Sequence, residues 1–150
     1  MSAYHYAGDI LEAGHTVFGE TLNGSPCSRV VTSLGYNLSV DDSCFYQSTG
    51  DLVNTASGLD GILGAVNYKT AVMPVPGSPV IDSGDPAGCL GADGSPLLVD
   101  QRDLPRPADG DNDGEAICDR GAVEVSSDYD GLFSDGFEVG AVNAWSSWTP

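Results

Sequence analysis

The chain has 150 residues, 22 of them acidic and 5 basic, for a net charge of -17, with 41% apolar residues, 20 glycines and 9 prolines. That length holds one domain with a real core, and the apolar content argues against wholesale disorder. The five cations (Arg29, Lys69, Arg102, Arg106, Arg120) are scattered, which makes nucleic acid and anionic membrane surfaces poor partners, since phosphate is gripped by clustered Lys and Arg.

Met1-Ser2-Ala3-Tyr4-His5-Tyr6 lacks the basic and apolar regions of a signal peptide, and no apolar run reaches membrane-spanning length. Ile10-Leu11 and Thr16-Val17-Phe18 predict short strands on either side of Gly14, and Asn23-Gly24-Ser25-Pro26 predicts a turn. Leu34, Tyr36, Leu38 and Val40 alternate with Gly35, Asn37 and Ser39, the period of a half-buried strand. Asp41-Asp42-Ser43 breaks it, and Cys44-Phe45-Tyr46 and Asp51-Leu52-Val53 follow as short apolar pieces. Asn37-Leu38-Ser39 also matches a glycosylation sequon, a three-residue pattern that chance often produces.

Leu59, Ile62, Leu63 and Val66 have helical spacing, yet Gly58, Gly61 and Gly64 interleave them. Each interior glycine costs a helix about 0.5–1 kcal/mol against alanine. The expectation is a single helical turn, or a loop with its leucines inward. Ala71-Val72-Met73-Pro74-Val75-Pro76 is expected to run extended, because residues before proline avoid the helical region.

From Gly77 the rhythm tightens. Gly77-Ser78-Pro79-Val80-Ile81-Asp82-Ser83-Gly84-Asp85-Pro86 places Gly, Pro or Asp at almost every break, as tight Asp-capped turns require. Leu97-Leu98-Val99 and Ala122-Val123-Glu124-Val125 are expected strands. Composition shifts after Ser126-Ser127-Asp128, and residues 126–150, with Trp145 and Trp148, read as a tail or the start of a following domain. The fold class expected is all-β.

The cysteines are Cys27, Cys44, Cys89 and Cys118; none forms a C-x-x-C pair, and His5 and His15 supply no zinc spacing. Four cysteines allow three pairings. The neighbour pairing, Cys27–Cys44 and Cys89–Cys118, is expected, each bridge contributing on the order of 2–4 kcal/mol. An even count in an acidic, lysine-poor chain points to an oxidising compartment.

Taken together, Thr32-Ser33-Leu34-Gly35-Tyr36-Asn37-Leu38, Gly50-Asp51-Leu52, the run from Gly77 to Asp85, Asp100-Gln101-Arg102, Pro105-Arg106-Pro107 and Cys118-Asp119-Arg120-Gly121-Ala122-Val123-Glu124 resemble a known pattern. It is the C-terminal region of secreted bacterial right-handed parallel β-helix proteins, the choice-of-anchor Q type. The resemblance covers about residues 27–125. The chain departs from it at Asn67-Tyr68-Lys69-Thr70, where the family has an Asn-Gly-Gly-Pro-Thr-like run. It implies that residues 1–76 are the last β-helix coils and residues 77–125 an irregular, disulfide-stapled cap. Capping has a physical motive, because a bare terminal coil exposes apolar residues and unpaired strand edges.

Asp109, Asp111 and Asp113, with Gly114, have the spacing of the first half of a calcium loop, to which Glu115 and Asp119 could add oxygens. The twelfth position is Arg120, not the usual glutamate, and the competing reading is a solvated acidic turn. Asp82, Asp85, Asp100 and Asp119 could be paired acids for glycoside cleavage, but Asp beside Gly and Ser more often caps turns. Arg102 and Arg106 are expected to pair with acidic neighbours. Arg29 or Lys69 as the base of a polysaccharide lyase rests on fold analogy alone.

The functional expectation is a non-catalytic, secreted or cell-surface β-helix module, a scaffold or adhesion unit, with calcium as candidate cofactor. Its partners would be cell-surface or polysaccharide ligands, and the chain is expected to be a monomer and part of something longer. The alternative is the terminal fragment of a carbohydrate-active β-helix enzyme whose active site lies upstream.

Overall fold

The computed structural model describes residues 11–21, 23–44, 47–66, 69–91 and 93–126. Ile10, Phe45-Tyr46 and the tail beyond Ser126, with Trp145 and Trp148, lie outside the described residues. The described residues form strands and no helix: β1 (Glu12–Gly14), β2 (Val17–Phe18), β3 (Thr32–Gly35), β4 (Leu38–Ser39), β5 (Leu52–Val53), β6 (Leu59–Val66) and β7 (Lys69–Pro74).

Strands β1 to β5 pair only in parallel. β1 lies beside β3, with Glu12 opposite Thr32, and β2, β4 and β5 form one ladder in which Val17, Leu38 and Leu52 are in register. Parallel neighbours need a crossover, and here the chain supplies it by turning corners. His15 (φ 52°), Tyr36 (φ 54°) and Gly50 (φ 68°) each adopt the left-handed region two residues before Val17, Leu38 and Leu52. The rings of His15 and Tyr36 stack, centroids 5.5 Å apart and 13° from parallel. The third corner must be glycine, because a Cβ on Gly50 would sit 2.4 Å from the Tyr36 ring.

The single alternating strand expected over residues 34–40 is thereby corrected. Tyr36 breaks it into β3 and β4, which belong to different sheets, so the period-2 pattern does not carry across. Leu34 is 54% exposed, whereas Asn37 is fully buried. Asn37 holds the corner: Nδ2 donates to the Ala13 carbonyl (2.9 Å) and Ser33 Oγ (2.8 Å), and Oδ1 accepts the Thr16 N–H (3.0 Å). Asp51 closes the ladder by accepting the Asn37 N–H (2.8 Å) and the Ser33 hydroxyl (2.6 Å). A side chain so enclosed has no access for a glycan, so the sequon reading falls.

The expected helical turn or loop over residues 56–66 is also corrected. β6 and β7 form an antiparallel pair with Leu63 opposite Val72 and Val66 opposite Lys69. Interior glycines weaken a strand as they weaken a helix, so it is the pairing with β7 that holds β6 extended, and Ala71 to Pro74 runs extended as expected.

Beyond Pro76 the chain is a succession of turns joined by isolated bridges, Leu90 to Pro96, Val99 to Pro105 and Ala108 to Ile117. The strand expected at Leu97-Leu98-Val99 does not form: Pro96 and Pro105 lack the N–H that a ladder needs, and Leu98 is 71% exposed. Nor does one form at residues 122–125, where side chains take the ladder's place. Glu124 N–H donates to Asp100 and Val125 N–H to Asp119, while the Val123 and Glu124 carbonyls accept from Arg106 and Arg102. Cys27 bonds Cys44, their Cα atoms 4.9 Å apart, and Cys89 bonds Cys118 at 5.5 Å. The first bridge lies against Val31, Phe18 and Val53 in a small apolar cluster. Two such bridges fit an oxidising, extracellular setting, and no helix among the described residues is long and apolar enough to cross a membrane.

Candidate functional site: a buried ionic cap

Among the described residues the largest fully buried side chain is Arg102, and Glu124 and Asp119 belong to the same class. Charges this deep survive only when paired and hydrogen-bonded. The turn at Asp100-Gln101-Arg102 supplies the first pair, with Arg102 Nε 2.9 Å from Asp100 Oδ2. Asp100 Oδ1 also accepts the N–H groups of Arg102 (2.6 Å) and Leu104 (3.1 Å) and so fixes its own turn. Arg102 spends its remaining nitrogens on the Glu124 carbonyl (2.6 Å) and Met73 Sδ of β7 (3.6 Å), tying the hairpin to the cap.

Glu124 is the hub. Its Oε2 takes Arg106 Nε (2.8 Å) and the Asp119 N–H (3.1 Å), and its Oε1 takes the Ala108 N–H (2.9 Å). Arg106 then reaches the Gly121 and Val123 carbonyls at 2.9 and 3.2 Å. Arg120 has a different role, since its guanidinium donates to neutral oxygens. Nη1 donates to the carbonyls of Asn37 (2.8 Å) and Gly50 (2.7 Å) in the stack, Nε to Ser83 Oγ (2.9 Å) and Nη2 to the Ser83 carbonyl (2.6 Å) in the cap. One guanidinium therefore spans two corners and the turn that closes them.

Burial shifts these groups. It pushes Asp119 up to about 7, helped by the nearby Glu124 and Asp82 charges and opposed by the N–H groups of Val125 and Asp82. Burial raises Glu124 and lowers Arg120. Burial would raise Asp100 too, but the Glu124 N–H and the Arg102 guanidinium hold it below its ordinary value.

The four aspartates weighed as acids or turn caps all accept main-chain N–H groups. Asp82 takes Gly110, Asp111 and Ile117; Asp85 takes Ala87; Asp100 takes Arg102, Leu104 and Glu124; Asp119 takes Asp82 and Val125. Gly84 lets the first of these turns close. Its N–H donates to the Cys118 carbonyl at 2.7 Å, and a Cβ there would lie 2.5 Å from the same oxygen.

The five expected calcium ligands are not brought together. Asp119 is buried against Asp82 and Val125 N–H groups, while Asp113 and Glu115 are exposed. Asp109 and Asp111 converge instead with Asp82, their carboxylate oxygens within 4.8 Å of one another. Asp109 also accepts the N–H groups of Asn112 (2.7 Å) and Gly114 (2.9 Å), and Asp113 that of Glu115 (2.8 Å), which is the arrangement of a self-capped acidic turn. Melting curves recorded in EDTA and in added calcium are accordingly expected to superimpose. A calcium-dependent rise in the midpoint would restore the metal reading.

Sequence reasoning anticipated that Arg102 and Arg106 pair with acids, but missed Glu124 as their common anchor and Arg120 as a clamp on carbonyls. The available signal was a cluster of charged residues set between Cys118, Ala122, Val123 and Val125, where an amphipathic surface strand would leave every second position polar.

A cleft of about 620 Å3 lies where stack, hairpin and cap meet, lined by His15, Val17, Leu59, Val72, Gln101 and Arg120 among others. No protein-family model matches the sequence, and no curated protein or solved structure matches it.

Proposed function

We propose that the parallel strands β1 to β5 belong to the last coils of a right-handed parallel β-helix, that the antiparallel β6–β7 hairpin follows them, and that residues 77–125 form a cap, in a non-catalytic module of a secreted or cell-surface protein. The observation that carries this reading is the parallel ladder through Val17, Leu38 and Leu52, with a left-handed corner two residues before each rung. Repeating coils stack in that way, each burying what its neighbour would expose. The two disulfides favour an oxidising destination, and the net charge of -17 favours a monomer by mutual repulsion.

In this reading the cap's carboxylates organise backbone rather than substrate. Asp82, Asp100, Asp119 and Glu124 engage main-chain N–H groups at Gly110, Glu124, Asp82 and Ala108 among others, so they are committed to the cap's own backbone. The module then presents a rigid end to whatever it displays, as a scaffold or adhesion unit would. Capping makes a direct prediction. A chain ending at Pro76 is expected to self-associate in light scattering, because the surfaces that Val80, Arg120 and Val123 cover become exposed. A monomeric, folded truncation would remove the capping role.

A further inference from the structure

Asp85-Pro86 is the single Asp-Pro pair in the sequence, and it opens a tight turn of the cap. Gly88 N–H donates to the Asp85 carbonyl at 3.0 Å, and Ala87 N–H donates to Asp85 Oδ1 at 2.8 Å. The preceding residue is pinned, since Gly84 is held by the Cys118 carbonyl with no room for a side chain. Asp85 also lines a cleft of about 300 Å3 together with His15 and Glu12. His15 Nε2 is buried and has no hydrogen-bond partner among the described residues.

We propose that Asp85–Pro86 is a self-cleavage site, in which the Asp85 carboxylate attacks its own main-chain carbonyl and His15 gives the leaving proline its proton. The chemistry follows from the residue types. Proline has no N–H, so its nitrogen cannot turn on the side chain to close a succinimide, and ring closure onto the main-chain carbonyl is the route left to the carboxylate. The Gly88 N–H polarises that carbonyl and would stabilise the oxyanion as it forms. A side-chain oxygen of Asp85 bonds to the carbonyl carbon, and the bond from that carbon to the Pro86 nitrogen breaks. The nitrogen keeps the electron pair and takes the His15 proton, leaving a secondary amine. Asp85 becomes a five-membered cyclic anhydride, which one solvent water hydrolyses to free α- and β-carboxyl groups. The net reaction is hydrolysis of a single peptide bond.

The groups facing this turn set its pH dependence. Glu12 from β1, His15 from the first corner and Asp85 itself line the cleft, and Arg106 and Arg120 bear on His15 electrostatically. Burial holds His15 below its ordinary value, with Asp85 opposing and the two arginines assisting. The step requires a protonated imidazole, so the rate falls as pH rises through the lowered His15 value. Cys27–Cys44 lies wholly before the cut and Cys89–Cys118 wholly after it, so no disulfide spans the break. Arg120, bonded to Asn37, Gly50 and Ser83, keeps the nicked halves together until they are unfolded.

The test incubates the full purified chain and follows it by non-reducing, denaturing mass spectrometry. Fragments ending at Asp85 and beginning at Pro86 are expected at about pH 5, about tenfold faster from the folded chain than from the same chain in urea. Asp85→Asn is expected to stop the reaction. His15→Asn, which tolerates the positive φ, is expected to slow it and flatten its pH profile. Equal rates folded and unfolded, an intact chain, or wild-type rate and pH profile in His15→Asn would each overturn the proposal. The folded-against-urea comparison uses wild-type protein, so it decides even if a variant fails to fold.

Discussion

Replacing Glu124 with alanine is expected to lower the free energy of unfolding by about 3–5 kcal/mol, the cost of stranding a buried charge. The carboxylate is fully buried, and its loss leaves Arg106 without its ion-pair partner in a side chain only 6% exposed. The N–H groups of Ala108 and Asp119 lose their acceptor at the same time. Against a typical domain stability of about 5–15 kcal/mol, that loss takes the chain close to its threshold. Urea titration followed by circular dichroism measures it. Glu124→Gln is expected to fall between, since one amide oxygen still serves but the amide NH2 faces a donor. A change within about 0.5 kcal/mol, as at an ordinary surface site, would mean that the hub is not formed. Pairing Glu124→Leu with Arg106→Met should restore part of the loss, because removing both charges also removes the desolvation penalty.

Stability is expected to rise as the solution is acidified from above pH 7 toward pH 4, against the usual direction for an acidic protein. The cause is Asp119, whose carboxyl is raised from an ordinary 3.8 to about 7 when the chain folds. The folded state then holds a proton that the unfolded state releases, so stability is present below the unfolded value and is lost as pH rises through about 7. The ceiling on this contribution is about 4 kcal/mol, from a little over three pH units at 1.36 kcal/mol each. Glu124 and Asp82, both raised, act in the same sense. Asp100, held low by the Glu124 N–H and Arg102, acts in the opposite sense as pH falls through its folded value, and His15, lowered by burial, also weakens the fold on protonation. The net expectation is a maximum in mild acid, read from melting midpoints across the range. Asp119→Asn should flatten the limb between pH 4 and 7. A midpoint that climbs steadily to pH 8 would contradict the assignment.

What the sequence disclosed was set by how local each cause is. The turn-capping role of Asp85 and Asp100 was legible, because an aspartate among Gly, Ser and Pro bonds N–H groups a few residues away, whereas Asp82 caps the distant Gly110, Asp111 and Ile117. The neighbour pairing of the cysteines was legible for a similar reason, as each bridge closes a short, turn-rich segment. The corner at Tyr36 was not. Nothing in a Leu-Gly-Tyr-Asn-Leu alternation announces a left-handed residue, and the reason for it lies in the His15 ring above and the bare Gly50 backbone below. Leu59 to Val66 misled in the other direction. Its spacing mimics a helix, and only the pairing with Lys69 to Pro74 makes it a strand.

The site followed the same division. Arg102 beside Asp100 could be paired on sequence alone, being two residues apart on one turn. Glu124 meets Arg106 across 18 residues and Arg120 meets Asn37 across 83, distances over which composition carries no geometry. The acidic loop shows the cost of reading spacing alone. Asp109 and Asp111 do converge, but their third partner is Asp82 from the far side of the cap, and Asp119, in line by number, is buried elsewhere.

The central claim is that successive parallel strands stack through Val17, Leu38 and Leu52. Inter-strand nuclear Overhauser contacts in the isotopically labelled chain test it most directly. Parallel stacking predicts that the Leu38 amide lies close to Thr16 and Val17 on one side, through its bond to the Thr16 carbonyl, and that the Leu52 amide lies close to Asn37 on the other. Contacts joining Leu38 to a single neighbouring strand, or in antiparallel register, would contradict it.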